Sequence, residues 1–472
     1  MHEIPFRPKA AIQSFCRRWK GTALAVVGLA VILASVFITF PRQHPADAGG
    51  TGDWPAYMFN VGRSGYNKGE TIINRNSAPN LKVRWRASAG GTIFSQPVTA
   101  NGVVYWGSYD GYEHATNLNG QQLWATNLGH QSTCTPVNPL GVVSTATVLN
   151  GVVYVGGGDD NLYALNASSG SVIWHTRIGD PSTNTFIWDS PLVYNGNVYI
   201  GAATIGEATG CKLVPGVFEQ LNASNGAILH TFSPVASGCT GAGIWSSPTF
   251  DTSDGSVYLS TGTEGHCVKG EAIGIVKLKL TTLAYKSSWV IPHTDRVHDS
   301  DFGATPTLFV AMINGTAHKM VGLPNKNGVF YAFDRTTLST GPLWTSTIAI
   351  GGACPQCGQG SISSSVFDGS RLYVAGGKTT INGTNCKGSL RALNPADGSF
   401  LWQTCLSGTV MGAVTLAAGV LAVVDGKALT LVNSSSGAIL YNNKDNFYGS
   451  PSISNGVLYV GSSIDKLYAF GA

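Results

Sequence analysis

Residues 145–174, TATVLNGVVYVGGGDDNLYALNASSGSVIW, alternate apolar and polar positions in four short runs. A period of two sends one face of each run into a core and predicts β-strands. Asn150-Gly151 supplies the positive φ angles of a tight hairpin. VVYVG and LYALNA read as the second and third strands, and Ser169-Gly170 turns the chain into a fourth that ends at Trp174.

The unit recurs along the chain. SQPVTANGVVYWGSYDG (95–111) leads to Leu123-Trp124, and DSPLVYNGNVYIG (189–201) leads to LNASNGAIL (221–229). SSPTFDTSDGSVYLSTG (246–262) follows, then ATPTLF (304–309) with GVFYAFDRTTLSTGPLW (328–344). SSSVFDGSRLYVAGG (363–377), GAVTLAAGVLAVV (412–424) and SPSISNGVLYVGSSIDKLYAF (450–470) complete eight units. Four short strands per unit of roughly 40–60 residues is the signature of a propeller blade. The last unit stops after its third strand. LKVRWRAS (81–88) carries Trp85 where other units place Trp, and so supplies the missing fourth strand. The fold predicted is all-β: an eight-bladed β-propeller over residues 53–472, closed by joining its ends. No Gly-His and Trp-Asp pair recurs, which excludes a WD repeat. The repeated glycines and tryptophans read as turn positions and inter-blade packing.

Composition agrees. The 472 residues include 60 glycines, 10% aromatics and only 11% charged side chains. That is a turn-rich β protein, not a disordered one. The net charge of +4 resides in residues 1–20, where Arg7, Lys9, Arg17, Arg18 and Lys20 face a single Glu3. A neutral body excludes nucleic acid as the expected partner.

Residues 21–40, GTALAVVGLAVILASVFITF, carry no charge. Twenty such residues make a helix of about 30 Å, the thickness of a bilayer core. The basic segment 1–20 then stays cytoplasmic, and the body lies on the extracytoplasmic side of the cell membrane. Residues 41–52 read as a linker. A signal peptide cleaved at Ala46-Asp47-Ala48 is the competing reading; it would make the protein secreted. Eight of the nine cysteines lie in the body, an even number that suits an oxidising compartment. Cys354-Pro-Gln-Cys357 reads as a local disulfide. Cys386 with Cys405, and Cys239 with Cys211 or Cys267, are further expected bridges.

DNLYALNASSGSVIW (160–174) is similar to the repeat of the pyrroloquinoline-quinone (PQQ) propellers, and DWPAYMFNVGRSGYN (53–67) resembles the lead-in of that superfamily. DSDFGATP (299–306) and IWSSPT (244–249) resemble the polyvinyl-alcohol dehydrogenases within it. The resemblance implies PQQ stacked on an indole floor, a Ca²⁺ bridging it to carboxylates, and a base for the alcohol proton. Asp301 falls where the family keeps its catalytic Asp, which also reaches the metal, with Asp299 supporting the metal or orienting His298. Glu207 falls at the metal-binding Glu, Trp245 at the floor Trp, and Lys326 at a cation against a quinone oxygen. The family's Asn metal ligand falls near Thr263, with Glu264 beside it as a substitute ligand. A second Trp of the family falls near Met411. There is no adjacent Cys pair over the quinone, and no C-x-x-C-H for a c-type haem. The implied function is a PQQ- and Ca²⁺-dependent dehydrogenase that oxidises an alcohol and passes electrons to a separate acceptor. Non-catalytic members share these repeats. The alternative is therefore a scaffold that binds an envelope protein or polymer.

Overall fold

The computed structural model describes residues 52–131, 140–179, 181–206, 211–266 and 270–472. A compact unit spans His44–Ala472, and within it eight antiparallel sheets follow one another along the chain. Blades 1 to 8 cover residues 98–127, 147–177, 192–232, 249–290, 307–347, 366–406, 415–444 and 447–471. Each runs as a meander from the axis outwards. Burial shows the direction: the first strand of blade 1, Val98–Ala100, is wholly buried, whereas strand Lys82–Ser88 alternates exposed and half-buried. The ring closes as the sequence predicts. Lys82–Ser88 is the outer strand of blade 8, antiparallel to Lys466–Gly471, with Lys82 opposite Gly471 and Ser88 opposite Lys466. Among the described residues no helix is long and apolar enough to cross a membrane. The predicted span 21–40 lies outside the described residues.

A repeated contact fixes the spacing of the blades. Trp124, on the outer strand of blade 1, lies against Gly170 in the last turn of blade 2 and donates from Nε1 to Ala167 O at 3.0 Å. Thr126 Oγ1 donates to Gly170 O at 2.7 Å. The same arrangement puts Trp85 on Gly120, Trp174 on Gly226, Trp344 on Gly398 and Trp402 on Gly437. Gly170 has φ +71°, and a Cβ there would meet the Trp124 ring at 2.6 Å. Only glycine satisfies both the left-handed turn and the close approach.

Towards the axis the chain that precedes blade 1 serves as a plug. Its carbonyls and side chains pair with the free inner edges of the first strands, where unmet N–H groups would otherwise remain. Val148 N donates to Pro55 O at 2.8 Å, Phe250 N to Val61 O at 3.0 Å and Leu416 N to Gly65 O at 2.8 Å. Arg63 is fully buried and donates to Tyr57 O, Ser190 O, Pro191 O and Pro248 O, joining blades 3 and 4 to the plug. Burial lowers its pKa to about 10, opposed by the nearby Asp189 carboxylate.

The expected bridges Cys354–Cys357 and Cys386–Cys405 are formed. Cys211 and Cys239 are disulfide-bonded as well.

Trp124→Ala should lower stability by about 3–5 kcal/mol, the usual cost of removing a buried large aromatic, and Gly170→Ala should also destabilise. Urea denaturation of each variant reads the effect. Two variants within about 0.5 kcal/mol of wild type, the range of a surface substitution, would show that the junction does not depend on this contact.

Candidate functional site

In a propeller, the loops that enter the first strand and those that leave the second emerge at one end. Five side chains of interest lie on such loops of blades 4 and 5. Trp245 precedes the strand Thr249–Asp251, and Thr263 follows Ser256–Ser260. Asp299 and Asp301 precede Thr307–Ile313, and Lys326 follows Thr316–Pro324. The acidic loop is fastened to both neighbours. Phe302 N donates to Thr261 O at 3.3 Å, and Lys326 N to Asp301 O at 3.1 Å. Ser300 Oγ donates to Asn325 Oδ1 at 2.9 Å, and Asn325 Nδ2 returns a bond to Ser300 O at 2.6 Å. Asp299 adopts φ +56°, a left-handed conformation that Asp tolerates better than most residues. Two carboxylates only two residues apart thereby reach the same partners.

Those partners are Lys326 and Thr263. Lys326 Nζ donates to Asp299 Oδ2 at 2.7 Å and to Asp301 Oδ2 at 2.9 Å. Thr263 Oγ1 lies 2.9 Å from Asp299 Oδ1 and 2.7 Å from Asp301 Oδ1. A hydroxyl has one proton and can donate to only one of two carboxylates. The second contact needs the proton of a carboxylic acid. Asp301 can supply it: burial raises its pKa, with Lys326 opposing and Asp299 adding, to about 7. For Lys326, burial favours the neutral amine, but Asp301 and Asp299 together outweigh it and hold the pKa above the ordinary lysine value. Two carboxylates thus share one ammonium and, below neutrality, one proton.

Beside this ring lies a half-buried indole. Lys326 Nζ sits 5.5 Å from the centre of the Trp245 ring. Gly303 makes room for it, since a Cβ there would meet Trp245 Cη2 at 2.2 Å. Neither Gly303 nor Asn325 stands out in the sequence, because their contribution is space and fastening.

The structure therefore brings together Asp299, Asp301, Trp245 and Lys326, four of the residues predicted from sequence, with Thr263 between the carboxylates. Glu264 behaves otherwise. Its Oε1 accepts from Arg296 Nη1 at 2.5 Å, so an ion pair that the sequence did not suggest engages this carboxylate. His298 is exposed. Glu207 lies outside the described residues. Among the described residues no group of three or more His, Cys, Asp or Glu is placed to hold a metal ion.

Comparison with known proteins gives two sets of relatives. A family model described as outer membrane protein assembly factor BamB matches residues 76–214 and 326–472, more than half of the chain. The quinohemoprotein alcohol dehydrogenase of Comamonas testosteroni is 27% identical over 336 residues, 62% of this chain and 46% of that protein. BamB of Escherichia coli is 29% identical over 129 residues, 25% of this chain and 33% of that protein. The chain thus spans less than half the length of either relative. Among solved structures, the Comamonas enzyme superimposes with a TM-score of 0.72 at 19% identity, over 90% of this chain and 81% of that one. A europium-containing methanol dehydrogenase gives 0.73 at 15% identity, over 90% and 98%. BamB of Moraxella catarrhalis gives 0.55 at 15%, over 83% and 98%. These superpositions establish a shared fold. With over half its length matched by one family model, the chain belongs to the family of PQQ-repeat β-propellers described as outer membrane protein assembly factor BamB.

Proposed function

We propose that this protein is a PQQ- and calcium-dependent quinoprotein dehydrogenase that oxidises an alcohol outside the cytoplasm. The observation that carries the reading is the convergence of Asp301, Asp299 and Lys326 beside the half-buried Trp245. The residues fit the absent groups. A flat aromatic cofactor suits a half-buried indole, and a quinone oxygen suits a lysine ammonium held charged. The donors offered by Asp299, Asp301 and Thr263 are hard oxygens, the kind calcium takes. Glu207 is proposed as a further ligand. Glu264 pairs with Arg296 and would have to release it to serve as another, as Asp299 and Asp301 would have to release Lys326. When bound, the quinone supplies the acceptor for the carbinol hydride, and the cation supplies Lewis-acid polarisation.

The chain's own residues do the rest. Asp301 takes the hydroxyl proton, the role a positioned carboxylate within hydrogen-bond reach of a substrate can fill. Thr263 keeps its oxygen aimed between the two carboxylates, and Asp299 holds Lys326 in place. Location outside the cytoplasm is supported by the disulfides and by the basic and apolar N-terminal segments. The electrons then pass to a separate acceptor.

A second reading is a non-catalytic propeller that binds an envelope protein or polymer. The BamB description of the matching family model favours it. That match leaves out residues 215–325, the stretch that bears Trp245, Thr263, Asp299 and Asp301.

The two readings part on cofactor binding. PQQ with Ca²⁺ at a hundredfold excess over Kd should stabilise the protein by about 2.7 kcal/mol, and the loaded protein should reduce a dye with an alcohol. Asp301→Asn should cut kcat about a hundredfold to ten-thousandfold, as loss of a general base does. No stabilisation at saturating PQQ would turn the assignment to the scaffold.

Asp301 also gives the cofactor-free protein a pH signature. In the unfolded chain it ionises at about 3.9. Its raised folded pKa contributes stability that is full below about pH 4 and lost as pH rises to about 7. Lys326 titrates above this window. Asp301→Asn should remove the fall, read by urea denaturation at several pH values from about 4 to 8. An equal slope in both proteins would place the shift elsewhere.

A further inference from the structure

The site described above occupies only part of the propeller's mouth. Successive blades are joined there by a chain of bonds. Gln96 N donates to Thr145 Oγ1 at 2.8 Å, Thr145 N to Ser190 Oγ at 3.0 Å and Ser190 N to Ser247 Oγ at 3.0 Å. Thr305 N donates to Ser364 Oγ at 3.0 Å, and Ala413 N to Ser450 Oγ at 2.8 Å. These residues are equivalent in the repeat, each two positions ahead of an inner-strand residue. In most blades that residue pairs with a tyrosine of the second strand, as Val98 does with Tyr105 and Thr249 with Tyr258. Two positions further back, eight equivalent residues must ring the axis at the mouth. Trp245 is one of them.

The others are almost all apolar. Blades 1 to 3 contribute Phe94, Val143 and Trp188, which pack into one cluster with Phe186. Blades 4 to 6 contribute Trp245, Gly303 and Ile362; a Cβ on Gly303 would touch Trp245 Cη2 at 2.2 Å and Ile362 Cγ2 at 2.9 Å, so these three adjoin. Blades 7 and 8 contribute Met411 and Tyr448. Tyr448 closes the arc onto blade 1, with its ring 5.3 Å from that of Phe94. None of the eight carries a charge, and only Val143 is fully buried. Large aromatic side chains left half-exposed and adjoining one another form a surface that gains by being covered. Here that surface reaches the carboxylate site through Trp245, whose ring lies 5.5 Å from Lys326 Nζ.

We propose that this collar selects the substrate: Phe94, Trp188, Met411 and Tyr448 bind the apolar body of a hydrophobic alcohol while its hydroxyl reaches Asp301. The inference rests on the dehydrogenase reading and gives it a substrate class, apolar monoalcohols in place of polyols or hydroxylated polymers. Each buried methylene contributes about 0.8 kcal/mol, a factor of about four in kcat/KM per carbon until the collar is filled.

The test uses the full chain loaded with PQQ and Ca²⁺. kcat/KM is measured by dye reduction for the 1-alkanols from ethanol to octanol, for glycerol, and for a polyvinyl-alcohol oligomer. The expected result is a rise of about fourfold per methylene, carried by KM, with glycerol and the oligomer poor. Tyr448→Ser and Met411→Ser should each flatten that rise. A flat series, a preference for glycerol or the oligomer, or a rise that neither variant alters would overturn the proposal. If no alcohol is turned over, the dehydrogenase reading fails, and the collar is judged by binding alone. Saturable quenching of tryptophan fluorescence by 1-octanol, weakened in Tyr448→Ser and not seen with glycerol, would still support an apolar binding ring. No saturable signal would overturn it.

Discussion

An indole pressed onto a glycine is the contact on which this architecture depends. It makes two demands on one residue, a left-handed turn and a missing Cβ, and Gly170 meets both under Trp124. Because the tryptophan also donates a hydrogen bond into the neighbouring turn, the contact sets direction as well as distance. Repeated at five junctions, it holds neighbouring blades at one spacing. Uniform spacing at the rim is what brings loops from separate blades to one place at the mouth.

The junction between blades 4 and 5 is built differently. Lys277 stands opposite Tyr258, where Ala115 stands opposite Tyr105 in blade 1. It bonds Asp254 Oδ2 and Arg335 O, each at 2.8 Å, and Arg335 pairs with Asp251. At the other end of the same junction Lys326 joins Asp299 and Asp301. Charge is scarce in this chain, yet this one seam has buried ions at both ends. Such pairs add little net stability after desolvation, but breaking one leaves an uncompensated charge. Their effect is to fix geometry where the carboxylates must be aimed.

The fold was legible because its determinants are local and repeated. Asn150-Gly151 announces a hairpin by itself, and Trp85 in a lone strand marks the missing member of the last blade. The site was legible in part. Asp299, Asp301, Trp245 and Lys326 sit in loops whose flanking strands the repeat locates, so the blade pattern alone sends them to one end. What sequence hid was pairing. Glu264 and Arg296 are 32 positions apart, and no pattern of spacing predicts that one carboxylate would be taken by that arginine. Nor does Thr263 reveal that its hydroxyl stands between two acids. Such contacts depend on side-chain reach across a seam, which periodicity does not encode.

Closing the ring with strand Lys82–Ser88 has a consequence for the birth of the protein. Its partner, Lys466–Gly471, is made about 380 residues later. At about 5–20 residues per second, the early strand waits roughly 20–80 s for it. Meanwhile blade 1 already presents Gly120 to a tryptophan that nothing yet holds in place. The nascent chain is an open arc with an unpaired edge, and such edges recruit other chains. Completion is therefore a late event of high contact order, and shielding of that edge during synthesis matters as much as the stability of the finished ring.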